Sequence, residues 1–382
     1  LDPLLLNNVT IIIMPTRSSM SLSGQNFFSS TQRRPFAFAL FALINISMPS
    51  ATGLSPIINK SPSSENQCSP PRCSNGSTIT VNPNILIIMV DDIGFEDLGY
   101  RGSLASTPNI DALASKAVHV DHFITYTWCA PSRMAFFTGR EPFGELMAST
   151  FLNPNKLVLC CGKKPVLSRQ STLAAILSSK GYQTSLIGKF HFPVQSCLFS
   201  SVKGVGEKKP DSRFLGWDHF IGFYGGESSH WDRKVWVLEN GTKAPDPDKR
   251  VEHTTDYTSR HAVDLLNGHN GPKPFLMWVS YTAPHSPHQA PWLLVKKYAS
   301  IVNGSSSGGN AEMLKSLPSY LAMIEQVDDG VGQLVSVLDH RNLRDDTLVV
   351  FLSDNGGVYS KPFCNGALRG GKGHGYQGGV RV

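Results

Sequence analysis

The sequence predicts an α/β fold, a mostly parallel central sheet with helices on both faces. Three observations carry this. Apolar runs such as Asn84–Val90 (NILIIMV) and Thr347–Ser353 (TLVVFLS) are continuous rather than alternating, as expected of strands covered on both faces. Helical patterns lie between such runs, in the order strand, helix, strand. Polar residues follow the strands: Asp91-Asp92, Lys189 and His191, His285, and Asp354-Asn355. In open α/β sheets the ligand site lies beyond the carboxyl ends of the strands.

Taken in order, regular structure begins near residue 83 with Asn84–Val90. Thr107-Pro108 opens a helix, Thr as N-cap and Pro in the first turn, with Ile110, Leu113, Ala114 and Ala117 as its apolar stripe. Cys129 precedes a short helix over 134–139 and would stand at its N-terminus. A second helix over 172–180 ends at Gly181, a natural C-cap. A strand over 182–187 and another over Phe275–Ser280 follow. An amphipathic helix over 320–338 carries Ile324, Val327, Val331, Leu334 and Leu338 on one side. Thr347–Ser353 closes the series as a buried strand.

The 382 residues are 41% hydrophobic and 17% charged, a globular balance. A net charge of +6 suits an anionic substrate, but there is no dense basic run interleaved with aromatics, so no nucleic-acid partner is expected. Residues 1–53 read as a targeting segment. Arg33-Arg34 precede an apolar run from Pro35 to Ile46, and small residues end at Ala51-Thr52-Gly53, the order of a signal peptide. A buried strand or helix is the alternative. The run is shorter than the roughly 20 residues of a membrane span, so no stable span is expected. Met20 would give ordinary signal spacing, so residues 1–19 need not be native; the arginine pair also fits a twin-arginine address. Residues 54–82, rich in Ser, Pro and Asn, read as a linker, and 83–382 as the catalytic domain. Asn75, Asn240 and Asn303 head glycosylation sequons, which with the signal suggests a secreted or lysosomal glycoprotein, or a periplasmic protein in a bacterium. Of seven cysteines, Cys68 and Cys73 can pair locally and Cys160, Cys161, Cys197 and Cys364 can form two bridges, leaving Cys129 over.

Asp91, Asp92, Asp354 and Asn355 are hard oxygen donors. Three carboxylates and an amide suit Ca²⁺, with Mg²⁺ as the alternative, rather than zinc. Each pair taken alone also reads as a turn or cap. Cys129 at a helix start sits where anions are favoured, and Arg133, four residues on, shares its face. A lone Cys is otherwise a buried structural thiol or half a disulfide. Lys189 and His191, two apart in extended chain, project to one side. His285 lies in a loop with two prolines, and Lys372 in a Gly-rich loop that matches neither a Walker nor a dinucleotide motif.

Cys129-Ala-Pro-Ser-Arg133, continued by Phe137-Thr-Gly-Arg140, resembles the modification signal of sulfatases of the alkaline-phosphatase superfamily. The stretch from Gly181 to His191 resembles their second signature. Val90-Asp-Asp-x-Gly94, Thr107-Pro-Asn-Ile-Asp111, Ala283-Pro-His285, Ser353-Asp-Asn-Gly356 and Leu368-Arg-Gly-Gly-Lys372 fall in that family's order. The resemblance covers 83–382 and implies hydrolysis of aryl or carbohydrate sulfates on an alkaline-phosphatase-like fold. It implies that a formylglycine-generating enzyme oxidises Cys129 to an aldehyde. One hydroxyl of the hydrate would attack sulfur and the other would expel sulfate, where a serine would be stranded as its ester. It also implies Asp91, Asp92, Cys129, Asp354 and Asn355 around calcium, His191 as base, His285 with Lys372 at the leaving oxygen, and Lys189 and Arg133 stabilising the aldehyde site and the bound anion. Departures are Thr127-Trp128 before the Cys, Phe190 for Trp, Phe192-Pro193 for Leu-Gly, and Gln377 for Glu. The family continues past Val382 into a smaller C-terminal domain, which is expected to be largely missing. Substrate specificity is expected from a loop over 223–248, where Trp231 and Trp236 would stack on a sugar or pack in the core.

Three other readings remain open at this level: a phosphatase or phosphodiesterase of the superfamily, an inactive sulfate-ester or glycan-binding protein, and a thiol hydrolase using Cys129 with a His.

Overall fold

A computed structural model describes residues 12–14, 82–120, 122–142, 160–161, 164–165, 172–191, 215–233, 236–238, 252–304, 311–358 and 365–382. The strands are β1 (Ile12–Met14), β2 (Asn84–Val90), β3 (Val118–His119), β4 (Cys160–Cys161), β5 (Lys164–Pro165), β6 (Gln183–Lys189), β7 (His219–Phe223), β8 (Val237–Leu238), β9 (Phe275–Ser280) and β10 (Thr347–Ser353). The helices are α1 (Pro108–Ala114), α2 (Cys129–Thr138), α3 (Leu173–Ser179), α4 (Thr254–Gly268), α5 (Trp292–Gly304), α6 (Ala311–His340) and α7 (Gln377–Val380). Among the described residues no helix is long and apolar enough to cross a membrane.

Eight strands form one sheet in the order β3-β1-β10-β2-β9-β6-β7-β8. The five central strands, β10 to β7, pair in parallel, and the edges are antiparallel. The period-2 pleat of β2 splits its side chains between two cores. Leu86, Ile88 and Val90 pack with Ile110 of α1, Leu266 of α4 and Ile324, Val327 and Val331 of α6. Ile85, Ile87 and Met89 pack on the other face with Phe137 of α2 and Leu173 and Leu177 of α3. Helices thus cover both faces, which is why β2 and β10 carry no alternation.

Several boundaries differ from the sequence expectation. The helix expected over 134–139 begins at Cys129 itself, so the Cys lies in its first turn. Ala117 lies beyond α1, and Thr107 does not cap it through its side chain; its hydroxyl donates to Asp111 Oδ1 at 2.7 Å and accepts from Gly99 N–H. The helix expected from 320 continues back through Pro318 to Ala311. Ile12–Met14, within the expected targeting segment, pairs antiparallel with Val349–Phe351. The rest of 1–53, the linker to residue 81, and Cys68, Cys73, Cys197 and Cys364 lie outside the described residues. Asn75 and Asn240 lie outside them too, while Asn303 is exposed on α5.

Candidate active site

The carboxyl ends of β2, β6, β9 and β10 share one edge of the sheet because these strands run parallel. Backbone bonds draw the following loops together. Asp354 N–H donates to Val90 O at 3.1 Å, Tyr281 N–H to Met89 O at 2.9 Å, and Asp91 N–H to Ala283 O at 3.3 Å. Gly188 permits a close approach of β6 to β9, since a Cβ there would stand 2.0 Å from Ser280 O. Asp92 adopts a left-handed φ of 69°, a strained state for a non-glycine residue. It is held there by its N–H to Asp354 Oδ1 and by the Tyr320 hydroxyl donating to its carbonyl at 3.0 Å.

This edge gathers Asp91, Asp92, Asp354, Asn355, Cys129, Arg133 and Lys189, all buried. Cys129 Sγ lies 3.3 Å from Asp91 Oδ1 and 4.0 Å from Asp92 Oδ1. Lys189 Nζ pairs with Asp91 Oδ2. Arg133 Nε donates to Asp354 Oδ2 at 2.7 Å, and its Nη1 donates to Lys189 O at 3.1 Å and Ser280 Oγ at 2.6 Å. Lys372, on the Gly-rich loop, reaches Asp92 Oδ1 at 2.7 Å, and His285 Nε2 lies 3.8 Å from Asp92 Oδ2. The Ser286 carbonyl, 2.6 Å from His285 Nδ1, can only accept, so the ring proton sits on Nδ1.

Lys189 and His191 do not share an extended strand. β6 ends at Lys189, and His191 follows with φ 47°, its ring against Gly226, where a Cβ would meet Nε2 at 2.6 Å. His191 Nδ1 is buried without a hydrogen-bond partner.

The charge balance is tight. Burial alone would raise Asp91, but Lys189, His285, Arg133 and Lys372 hold it well below the usual carboxylate range. Burial and the neighbouring Asp91 push Asp354 up to about 6, against the pull of Arg133. Burial, then Asp354 and Asp91, push the Cys129 thiol well up, so the unmodified residue is a neutral thiol and a poor nucleophile. Burial, then Lys189 and Arg133, keep the His191 imidazole neutral. Lys372 is held charged: burial opposes this, but the Asp92 and Asp91 carboxylates outweigh it.

Two buried atoms show what the cluster lacks. Asn355 Nδ2 donates to Asp92 Oδ1 at 2.7 Å and to Gly356 O at 2.9 Å, which fixes the amide orientation and leaves Oδ1 an acceptor without a partner. Arg133 Nη2 is a donor without a hydrogen bond, 4.0 Å from Asp91 Oδ1. The first can accept from a donor or bind a cation, and the second can donate to an anion. Asp91, Asp92, Cys129 and His285 each offer a ligand atom within 4.8 Å of the others. A divalent hard cation therefore fits these residues.

Sequence reasoning missed two supporting residues. Ser280 accepts from Arg133 and donates to Lys189 O at 2.5 Å; its only signal was a hydroxyl closing an apolar strand. His230 faces the His285 carbonyl through Nε2 at 3.0 Å, and nothing local marked it. The two tryptophans of the expected specificity loop differ in exposure. Trp236 is buried against Phe223 and Tyr257, and Trp231 is half-buried with its ring edge-on to His253. Residues 239–248 of that loop lie outside the described residues.

Comparison with known proteins identifies the family. A family model described as Sulfatase matches residues 83–382. Arylsulfatase J of Mus musculus is 28% identical over 318 residues, covering 80% of this chain and 48% of that protein. Arylsulfatase H of Homo sapiens is 28% identical over 378 residues, covering 80% and 64%. Among solved structures, Ps i-CgsB in complex with k-i-k-neocarrahexaose matches with a TM-score of 0.59 at 28% identity, covering 78% of this chain and 64% of that one. PsFucS1 sulfatase from Pseudoalteromonas sp. matches at 0.54 and 25% identity, covering 78% and 60%. The chain thus spans 48% and 64% of the lengths of these two arylsulfatases.

Proposed function

The chain belongs to the sulfatase family, and on that premise we propose that it hydrolyses sulfate esters, releasing an alcohol and inorganic sulfate. The observation that carries this is the pairing of unmet needs beside Cys129: a buried amide oxygen that can bind a cation and a buried guanidinium N–H that can donate to an anion.

Asp91, Asp92, Asp354 and Asn355 would hold Ca²⁺ beside Cys129, and the bound ion would supply positive charge to the sulfate oxygens. Formylglycine made from Cys129 by its generating enzyme would supply, as its hydrate, one hydroxyl to attack sulfur and a second to release sulfate.

The remaining steps belong to the chain's own side chains. Arg133 Nη2 and the Lys189 ammonium hold the anion and keep the Cys129 position oriented. His191 offers a neutral ring with an unpaired Nδ1, the form needed to take a proton. His285 already carries a proton on Nδ1, so when it is cationic Nε2 is the nitrogen that gives a proton to the leaving oxygen, with Lys372 beside it. The natural substrates are sulfated small molecules or polysaccharides, met in the secretory pathway or beyond it.

Hydrolysis of 4-nitrophenyl sulfate and 4-nitrophenyl phosphate by the full chain tests the reading. The sulfate ester should be the better substrate, and Cys129→Ala should abolish turnover. Preference for the phosphate ester, or an active Cys129→Ala variant, would favour a phosphatase instead.

A further inference from the structure

Trp128 directly precedes Cys129 and departs from the resemblance that surrounds it. It holds the N-cap position of α2 with extended backbone, φ −135° and ψ 150°. Its side chain therefore leaves the helix while Cys129, the next residue, turns inward: Trp128 is 44% exposed and Cys129 3%. A large apolar ring left half in water beside a buried polar cluster forgoes burial free energy.

The ring is held in place. Gly373 N–H donates to Thr127 O at 2.9 Å, and Gly373, at φ 82°, brings its backbone under the indole: a Cβ there would stand 3.1 Å from Trp128 Cζ2. Lys372 Nζ lies 5.8 Å from the ring centroid and 2.7 Å from Asp92 Oδ1, which ties the indole to the carboxylate cluster. The other exposed aromatic of this loop, Tyr376, is already covered by the Arg369 guanidinium at 3.7 Å. Among the described residues, Trp128 is an exposed aromatic joined to the carboxylate cluster through Lys372, whereas Trp236 is buried.

We propose that Trp128 is a specificity-determining platform that stacks the ring of the leaving alcohol, a pyranose whose hydroxyls suit the cationic rim of Lys372 and Arg369. This rests on the sulfatase reading. Stacking contributes nothing to the sulfate group itself, so the platform separates ring-bearing from ring-free esters.

Equilibrium binding to the full chain, by calorimetry, tests it with inorganic sulfate, a pyranose 6-sulfate, 4-nitrophenyl sulfate and an alkyl sulfate. Trp128→Ala should weaken pyranose sulfate about tenfold and leave inorganic and alkyl sulfate unchanged. Trp128→Phe should restore most of the loss, and Trp128→Leu, which keeps apolar bulk without a ring face, should not. Equal weakening of all four ligands, or none, overturns the platform. Loss for the aryl ester alone overturns the pyranose assignment. Failure of the unsubstituted chain to bind or hydrolyse any sulfate ester overturns the sulfatase reading and the platform with it, a result distinct from normal sulfate binding with an indifferent Trp128→Ala.

Discussion

Arg133 and Asp354 stand 221 residues apart in sequence and meet through a 2.7 Å charge-assisted hydrogen bond with both side chains fully buried. The bond fastens the helix that starts at Cys129 to the end of β10. Arg133→Ala would leave a buried carboxylate uncompensated, which costs about 3–5 kcal/mol. The urea midpoint should fall accordingly. Arg133→Lys should recover only part, because the bonds from Nη1 to Lys189 O and Ser280 Oγ need the guanidinium fork.

Calcium should stabilise the chain by mass action. Three carboxylates share the cluster, and Asp354 is pushed up to about 6 by burial and Asp91. A saturating cation present at about 100 times its Kd would add about 2.7 kcal/mol. Thermal unfolding of chelator-treated protein should shift upward on adding Ca²⁺. The shift should shrink in Asn355→Ala, which lacks the unpaired Oδ1.

Acid should unfold the protein partly through two stacked histidines. His230 and His253 lie with ring centroids 5.3 Å apart and planes at 8°. Burial, then His253, push His230 down to about 3, and burial pushes His253 down to about 4, from an ordinary 6.5. Both folded values lie below the unfolded one, so the unfolded chain binds protons first. This stability is fully present above about pH 6.5 and is lost as pH falls toward 4 and 3. The melting temperature should drop across that window, and His230→Asn should flatten the drop; an unchanged slope would contradict the assignment.

Ser280 offers a test of positioning rather than chemistry. Ser280→Ala removes the acceptor for Arg133 Nη1 and the donor to Lys189 O. It should cost about 1–3 kcal/mol of stability. Turnover should fall more than sulfate binding, as kcat and KM for 4-nitrophenyl sulfate would show.

Much of this architecture was legible in the chain. NILIIMV and TLVVFLS announced strands because both faces of each are buried, and the polar pairs that follow them marked the site edge. The neighbour order β10-β2-β9-β6 was not legible, since it is set by pairings far apart in sequence. α4, TTDYTSRHAVDLLNG, was hidden by its polar composition: Thr254, Thr255 and Thr258 are buried although they read as surface. The backbone at His191 was not legible: its positive φ, one residue beyond the strand, has no local sequence mark such as glycine. Ser280 and His230 act through backbone carbonyls, contacts that leave no local sequence pattern.

The account turns on Cys129, whose thiol is buried 3.3 Å from Asp91 and held protonated. The direct measurement is the mass of the Cys129 peptide from protein expressed with a formylglycine-generating enzyme. Conversion predicts a loss of about 18 Da in material that hydrolyses sulfate esters. Active protein in which Cys129 retains the unmodified mass would contradict the account.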